Sequence, residues 1–317
     1  MPLLRCEHVS LSYDGLRDAV SDLTLSVEPG SIFALVGPNG AGKTSTLRML
    51  ATLQPPTSGT LVVDGIDLQR DPESARRRIG YLPDHFALYD QQTPLEYLEF
   101  FARLHGVPAK VRRARIDALL EELDLAEKRT SPIRTLSRGM RQRLGLAKTL
   151  VHEPKLLLLD EPASALDPGA RLKLRDALLR LRRREVAVII SSHILPDLAG
   201  LADSVGIMEG GRLISAGAIE EVAGRARGAE VVLVIEVGHP DRARRVFGDF
   251  GPRVAAVEEA APGRFHVAVN AGDRALDEII ADLADALVLR GARLSHLAPR
   301  ESALEAVYRA SAASAVA

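Results

Sequence analysis

GPNGAGKTS, residues 37–45, decides how this chain is read. The run before it, SIFALVG (31–37), is short and apolar and reads as a buried strand, and KTSTLRMLATL after it reads as a helix. Gly37, four variable residues and Gly42-Lys43-Thr44 at that junction form a phosphate-loop pattern. Glycines allow the tight turn, N–H groups of the loop and helix terminus face phosphate oxygens, and Lys43 balances charge near the β and γ phosphates. Pro38, Asn39, Gly40, Ala41 and Ser45 complete the cradle, and the Thr44 hydroxyl is placed to reach Mg²⁺.

Working outward, LLLLDEP (156–162) is a second apolar strand, and it ends in two carboxylates. Asp160 can bring its carboxylate to the metal's water shell at the sheet edge. Neighbouring strand residues alternate sides, so Glu161 is expected to point differently and to orient or deprotonate an attacking water. His193 follows a third strand, VAVIISS (186–192), where an imidazole can contact the γ phosphate or the water while its other nitrogen is fixed by the protein. A continuous apolar strand flanked by helices is what a parallel sheet covered on both faces requires, so an α/β fold is expected.

At 317 residues the chain is long enough for about two domains. A nucleotide-binding part is expected over 1–223, with a helical insertion at about 84–150 between the strand leading to Tyr81 and KLLLLD. GRARG (224–228) reads as a linker. From 229 to 311 the order is strand (VVLVIEV), helix (DRARRVFGDF), two strands (RVAAVEE, RFHVAVN), helix (about Asp273 to Arg290) and strand (ARLSHLA). That order predicts a small C-terminal α+β domain of the split βαβ type. ESALEAVYRA reads as a last helix, and 312–317 as a fraying tail.

Composition narrows the function. Hydrophobic residues at 46% and charged residues at 26% are the balance of a folded protein. The single cysteine, Cys6, excludes an intramolecular disulfide and a multi-cysteine metal site. A formal net charge of -1 gives no bulk positive field to attract nucleic acid. The opening MPLLRCEHVSLSYDG is not expected to act as a secretory leader. No stretch of 18 or more apolar residues occurs, so any membrane role requires a partner.

With LSRGMRQ (136–142) and SALD (164–167) standing among these motifs in the same order, the chain resembles the ATP-binding cassette (ABC) family over about residues 1–220. The resemblance implies a P-loop NTPase cassette with a helical subdomain that hydrolyses ATP with Mg²⁺ and couples hydrolysis to mechanical rearrangement. It gives Lys43 the phosphate role, Thr44 and Asp160 the metal, Glu161 the general base and His193 the γ-phosphate sensor. Tyr13 matches the aromatic residue that stacks on adenine. Ser137 and Gly139, at a helix N-terminus, match the element that reaches the γ phosphate held by a second cassette, so that two copies sandwich two ATP molecules. Asp167 matches the residue that orients this contact across the interface.

Two departures from the family pattern stand out. Arg138-Gly139-Met140 replaces two adjacent glycines followed by glutamine, although the second glycine and a backbone donor are kept. In YLPDHFALYD, Asp84 takes the place of a glutamine that contacts Mg²⁺ and water. It accepts a hydrogen bond from a metal-bound water, but it has no amide to donate and reaches one carbon less far.

A single cassette with PLEYLEFFARLHG in its helical insertion and a small distal module is similar to the ATPase subunits of drug- and polyketide-resistance exporters. The resemblance implies a homodimer at the cytoplasmic side of the cell membrane, attached through separate integral membrane subunits and not binding nucleic acid directly. Two alternatives stay open. A continuous basic patch would favour a soluble ATP-dependent nucleic-acid or assembly factor, and ATP-dependent dimerisation with negligible turnover would favour a regulatory protein. The distal module is open between reinforcing the dimer, binding a regulator and stabilising the fold.

Overall fold

The computed structural model describes residues 1–164, 166–193, 198, 200–219, 221–222, 230–270 and 276–300. The linker expected over 224–228, the last helix expected over ESALEAVYRA and the tail 312–317 lie outside the described residues, as does Ala165 of SALD. Chain contacts divide the protein into two compact units, Met1–Ile219 and Glu220–Ala317.

The first unit runs β1 (Leu4–Ser12), β2 (Asp18–Val27), β3 (Ile32–Val36), α1 (Lys43–Leu50), β4 (Ser58–Val63), β5 (Ile66–Asp67), α2 (Pro72–Arg76) and β6 (Ile79–Leu82). It continues with α3 (Pro94–Leu104), α4 (Ala109–Glu122), α5 (Arg138–Leu150), β7 (Leu156–Asp160), α6 (Pro168–Arg183), β8 (Ala187–Ser192), β9 (Ser204–Glu209) and β10 (Arg212–Ala218). This is the α/β architecture that the apolar strands predict.

β3, β7 and β8 are buried at every position, as strands covered on both faces must be. They sit in a six-stranded sheet of order β10-β9-β3-β8-β7-β6, whose neighbours pair in parallel except β10 with β9. A second, antiparallel sheet has the order β2-β1-β4-β5. Leu4, Val9, Leu35, Leu47, Leu61, Leu158 and Ile189 share one core, and each such side chain contributes about 2 kcal/mol when fully buried. In the parallel sheet the carboxyl ends of β3, β7 and β8 meet at one edge. Their registers, Val36 opposite Ser192 and Asp160 opposite Ser191, bring three chemistry-bearing turns together.

α3, α4 and α5 pack on one another. α3 starts in a capping box: Glu96 N donates to Thr93 Oγ1 (3.2 Å) and Thr93 N donates to Glu96 Oε2 (2.8 Å), with Pro94 at the first helical position. α4 buries Ile116, Leu119 and Leu120, continued by Leu123, a stripe at helical spacing.

The second unit runs β11 (Glu230–Val237), α7 (Pro240–Asp249), β12 (Val254–Ala261), β13 (Arg264–Asn270), α8 (Leu276–Leu289) and β14 (Leu294–Pro299). Its antiparallel sheet has the order β12-β13-β11-β14, the α+β arrangement that the strand-helix alternation predicts. Leu233, Ile235, Phe247, Phe265, Ile279, Leu283 and Leu287 make its core. The Phe247 and Phe265 rings meet edge to face at 5.2 Å.

Candidate functional site

β3 hands the chain to a loop that only glycine can make at two points. Gly42 has φ 103°, and a Cβ there would stand 2.6 Å from the Ala19 carbonyl oxygen. A Cβ at Gly37 would stand 2.3 Å from the Met208 carbonyl oxygen. A side chain at either position would displace backbone. α1 begins directly after Gly42 with no side-chain cap and no acidic residue in its first turn, so its leading N–H groups are available to an anion.

Lys43 is the buried cation of the site, 6% exposed. Its Nζ donates to the carbonyls of Gly37 (2.7 Å) and Pro38 (3.1 Å) and stands 3.5 Å from Glu161 Oε1. An ammonium is tolerated at such depth only with partners of this kind.

Asp160, 2% exposed at the end of β7, accepts from Thr44 Oγ1 (3.2 Å) and Ser191 Oγ (2.7 Å). The same Ser191 hydroxyl accepts from Glu161 N at 2.9 Å. Burial first and the Asp160 carboxylate second push the pKa of the Tyr81 phenol up.

Glu161 points away from Asp160, but not because strand residues alternate. β7 ends at Asp160, and Glu161 has φ 46°, so a left-handed turn rather than strand alternation sends its side chain away. Glu161 Oε2 accepts from His193 Nδ1 at 2.8 Å. Oε1 is buried with no hydrogen-bond partner and faces Lys43. A carboxylate so placed, with an ammonium on one oxygen and an imidazole on the other, is equipped to take and pass a proton.

Other sequence-predicted residues are placed as follows. Tyr13, 55% exposed, has its hydroxyl 3.2 Å from Ser45 Oγ at the start of α1. Asp84, exposed, accepts from Ser164 Oγ at 3.4 Å, which ties the chain after β6 to the SALD loop after β7. Asp167 caps α6, accepting from Ala170 N at 2.9 Å. Ser137 and Gly139 keep other company: Ser137 is exposed and caps α5, accepting from Met140 N at 3.3 Å, and Gly139 is buried against Ala170 of α6. A Cβ at Gly139 would lie 2.9 Å from Ala170 Cβ.

Thr44 and Asp160 offer a hydroxyl and a carboxylate side by side, hard oxygens of the kind Mg²⁺ takes together with phosphate oxygens. These donors fit a metal that arrives with a nucleotide. Glu161 and Asp84 add carboxylates at greater remove.

Two contributors escaped the sequence reading. Ser191 joins Asp160 to Glu161, and Met208 presses its carbonyl on Gly37 and its sulfur on Thr46 Oγ1 at 3.7 Å. A hydroxyl pair closing an otherwise apolar strand, SS in VIISSH, was the available signal for the first.

Comparison with known proteins bears on the same residues. The family model described as ABC transporter matches residues 20–164. The daunorubicin resistance ATP-binding protein DrrA3 of Streptomyces coeruleorubidus is 38% identical over 221 residues, 70% of each chain. The Nod factor export ATP-binding protein I of Ralstonia nicotianae is 37% identical over 233 residues, 74% of this chain and 72% of that one. Among solved structures, an ATP-binding subunit of an ABC transporter superposes with a TM-score of 0.66 at 30% identity, covering 72% of this chain and 95% of that one.

Proposed function

This chain belongs to the ABC transporter family as an ATP-binding, ATP-hydrolysing subunit, and from that premise we propose that two copies of it form the motor of an exporter. In the proposed cycle the Gly37–Ser45 loop binds the triphosphate of ATP, with Lys43 balancing its charge and Tyr13 against the base. Thr44 and Asp160, with Asp84 through water, would hold Mg²⁺, which would supply the charge that polarises the phosphates. Glu161 accepts the proton of the attacking water while His193 keeps the carboxylate oriented.

One observation carries the two-copy reading. α5 offers an exposed N-terminus with no acidic residue in its first turn and Arg138 at its head, yet Ser137 and Gly139 are engaged with α5 and α6 and not with the loop of their own chain. A positive helix end with only one N–H taken by its cap suits the γ phosphate of a second copy.

Coupling to a membrane subunit is read from an aromatic patch. Tyr89, Phe100 and Leu104 are exposed, and Tyr89 meets the rings of Tyr97 and Phe100 at 5.9 and 6.2 Å. Such a patch suits an amphipathic helix of an integral subunit. No described helix is long and apolar enough to cross a membrane, and the proposal places the chain at the cytoplasmic membrane face through that subunit. Export as the direction is taken from the printed function of the Nod factor relative.

Mixing two inactive chains tests the shared site. Lys43→Ala removes the phosphate lysine, and Ser137→Arg obstructs the helix end. A mixed dimer contains one composite site with neither change, so ATP turnover should return on mixing. Mixed dimers recovered through two different tags, yet without turnover, would overturn the reading.

A further inference from the structure

Ser191 has no part in the cycle just described, yet it is completely buried at the centre of the site. We propose that Ser191 is a positioning residue for ATP hydrolysis, its single hydroxyl holding the Asp160 carboxylate and the Glu161 peptide together and so fixing the turn that aims the Glu161 carboxylate.

A serine hydroxyl has one proton to donate and lone pairs to accept. Here the proton goes to Asp160 Oδ1 at 2.7 Å and a lone pair receives Glu161 N at 2.9 Å. No apolar residue can do either, and the position is fully buried. The two partners are consecutive, so the clamp closes across the peptide that joins them. That peptide leads into Glu161 at φ 46°, a left-handed conformation that a side-chain-bearing residue keeps only where its surroundings over-determine it.

β8 supplies that determination twice. Its Ser191 holds the Glu161 backbone, and His193, two residues on, holds the Glu161 carboxylate at 2.8 Å. The parallel register that sets Asp160 opposite Ser191 makes the first contact possible, and the end of β8 delivers the second. Without the hydroxyl, Glu161 N and one side of Asp160 Oδ1 lose their partner inside the protein. The turn is then free to relax toward ordinary backbone, carrying the carboxylate off its line to Lys43 and His193. The inference rests on Glu161 being the general base.

The test uses the full-length chain and compares Ser191→Ala, Ser191→Thr and Glu161→Gln. Steady-state turnover gives kcat and KM for ATP with Mg²⁺, a fluorescent ATP analogue in EDTA gives nucleotide affinity without metal, and amide exchange is followed at Glu161. Ser191→Ala is expected to lose about ten- to a hundredfold in kcat, the scale of a base displaced by an ångström, with affinity in EDTA held within about twofold. Its Glu161 amide should exchange faster than in the unaltered protein, and Ser191→Thr, which keeps the hydroxyl, should restore both. Wild-type kcat in Ser191→Ala would overturn the proposal, as would a loss of EDTA affinity matching the loss of kcat. Should Ser191→Ala not fold, an unprotected Glu161 amide in the unaltered protein would overturn it just as well. Glu161→Gln separates the two ideas: normal turnover there removes the general base itself, whereas an inactive Glu161→Gln beside a fully active Ser191→Ala removes only the clamp.

Discussion

Both units lay helices against a sheet, but they differ in what they bury. The described part of the second unit has an apolar core from Leu233 to Ala292. The buried polar and charged side chains among the described residues, Lys43, Thr46, Arg143, Thr149, Asp160, Ser191 and Ser192, all belong to the first unit. Five of these seven stand at the carboxyl ends of β3, β7 and β8 or in the helix that follows the loop. Burying an ammonium and a carboxylate is unfavourable unless each is paired, and hydrocarbon would fill the space at less cost. The first unit accepts that cost where phosphate chemistry needs it, while the second is built for cohesion.

The largest expected effect breaks the first unit's chemistry and leaves its fold intact. Glu161→Gln keeps the size and most contacts of the side chain but cannot take a proton. Steady-state ATP turnover should fall by about 10²- to 10⁴-fold, the usual contribution of a general base, while ATP binding persists. ATP-bound dimers should then accumulate, visible by size-exclusion chromatography. Unchanged turnover would remove Glu161 from the role its contacts with Lys43 and His193 suggest.

The second expected effect lies in the other unit. Phe265 is buried against Phe247, and Arg244 lies over its ring at 5.8 Å. Phe265→Ala should cost about 3 kcal/mol of that unit's stability through lost burial and the cavity left behind. Differential scanning calorimetry should show one transition moved and another held, with the affinity for ATP unchanged. A common shift of all transitions would mean that the two units do not melt as separate cores.

How much of this could be read in the sequence follows from the range of each interaction. The loop, α1 and the strands around them were legible because they are local: an apolar run, a glycine pattern and a helix in 20 or so consecutive residues. The Thr93-Pro94 start of α3 and the helical spacing of Ile116, Leu119, Leu120 and Leu123 in α4 are local too. α2 was not read, since five residues are too few to show a period, although Asp71 and Pro72 are a start signal. The hydroxyl of Ser191 was illegible as a partner because its meeting with Asp160 depends on strand register across 31 positions. Glu161 misled for a different reason. Alternation applies inside a strand, and the strand stops one residue earlier.

A third prediction asks what polar burial does in the first unit where it serves no chemistry. His152 sits at the amino end of β6, away from the loop, with Nε2 donating to Ile79 O at 3.0 Å and Nδ1 buried without a partner. Its ring stacks on His105 at 4.0 Å, and Arg115 and Lys148 lie near. Burial first and His105 next lower its pKa from 6.5 to about 4. The unfolded chain therefore takes the proton more readily, and stability is complete above about pH 6.5 and falls as pH drops toward about 4. Between pH 7 and pH 5 the loss should be about 1–2 kcal/mol, allowing for the solvent that the ring still meets. Urea midpoints at the two pH values, repeated in His152→Gln, check it, since the glutamine keeps a donor for Ile79 but does not titrate. An equal pH slope in both proteins would assign the effect to other groups.

The smallest expected effect on stability separates fold from function at a single residue. Ser137 already satisfies one N–H of α5, so Ser137→Ala should cost about 1 kcal/mol, the usual value of a lost helix cap. Ser137→Asn supplies another capping oxygen and should recover that loss. If the serine only caps, ATP-dependent dimerisation will follow stability, and the asparagine protein will behave like the unaltered one. If the exposed hydroxyl also meets the γ phosphate of a second copy, both variants will dimerise more weakly with ATP, although only one of them is less stable. Sedimentation in Glu161→Gln backgrounds, where the ATP-bound state persists, makes the difference measurable. Equal dimerisation in all three proteins would leave α5 a capped helix like α3, and the comparison between a chemical unit and a cohesive one would then have to be drawn inside the first unit.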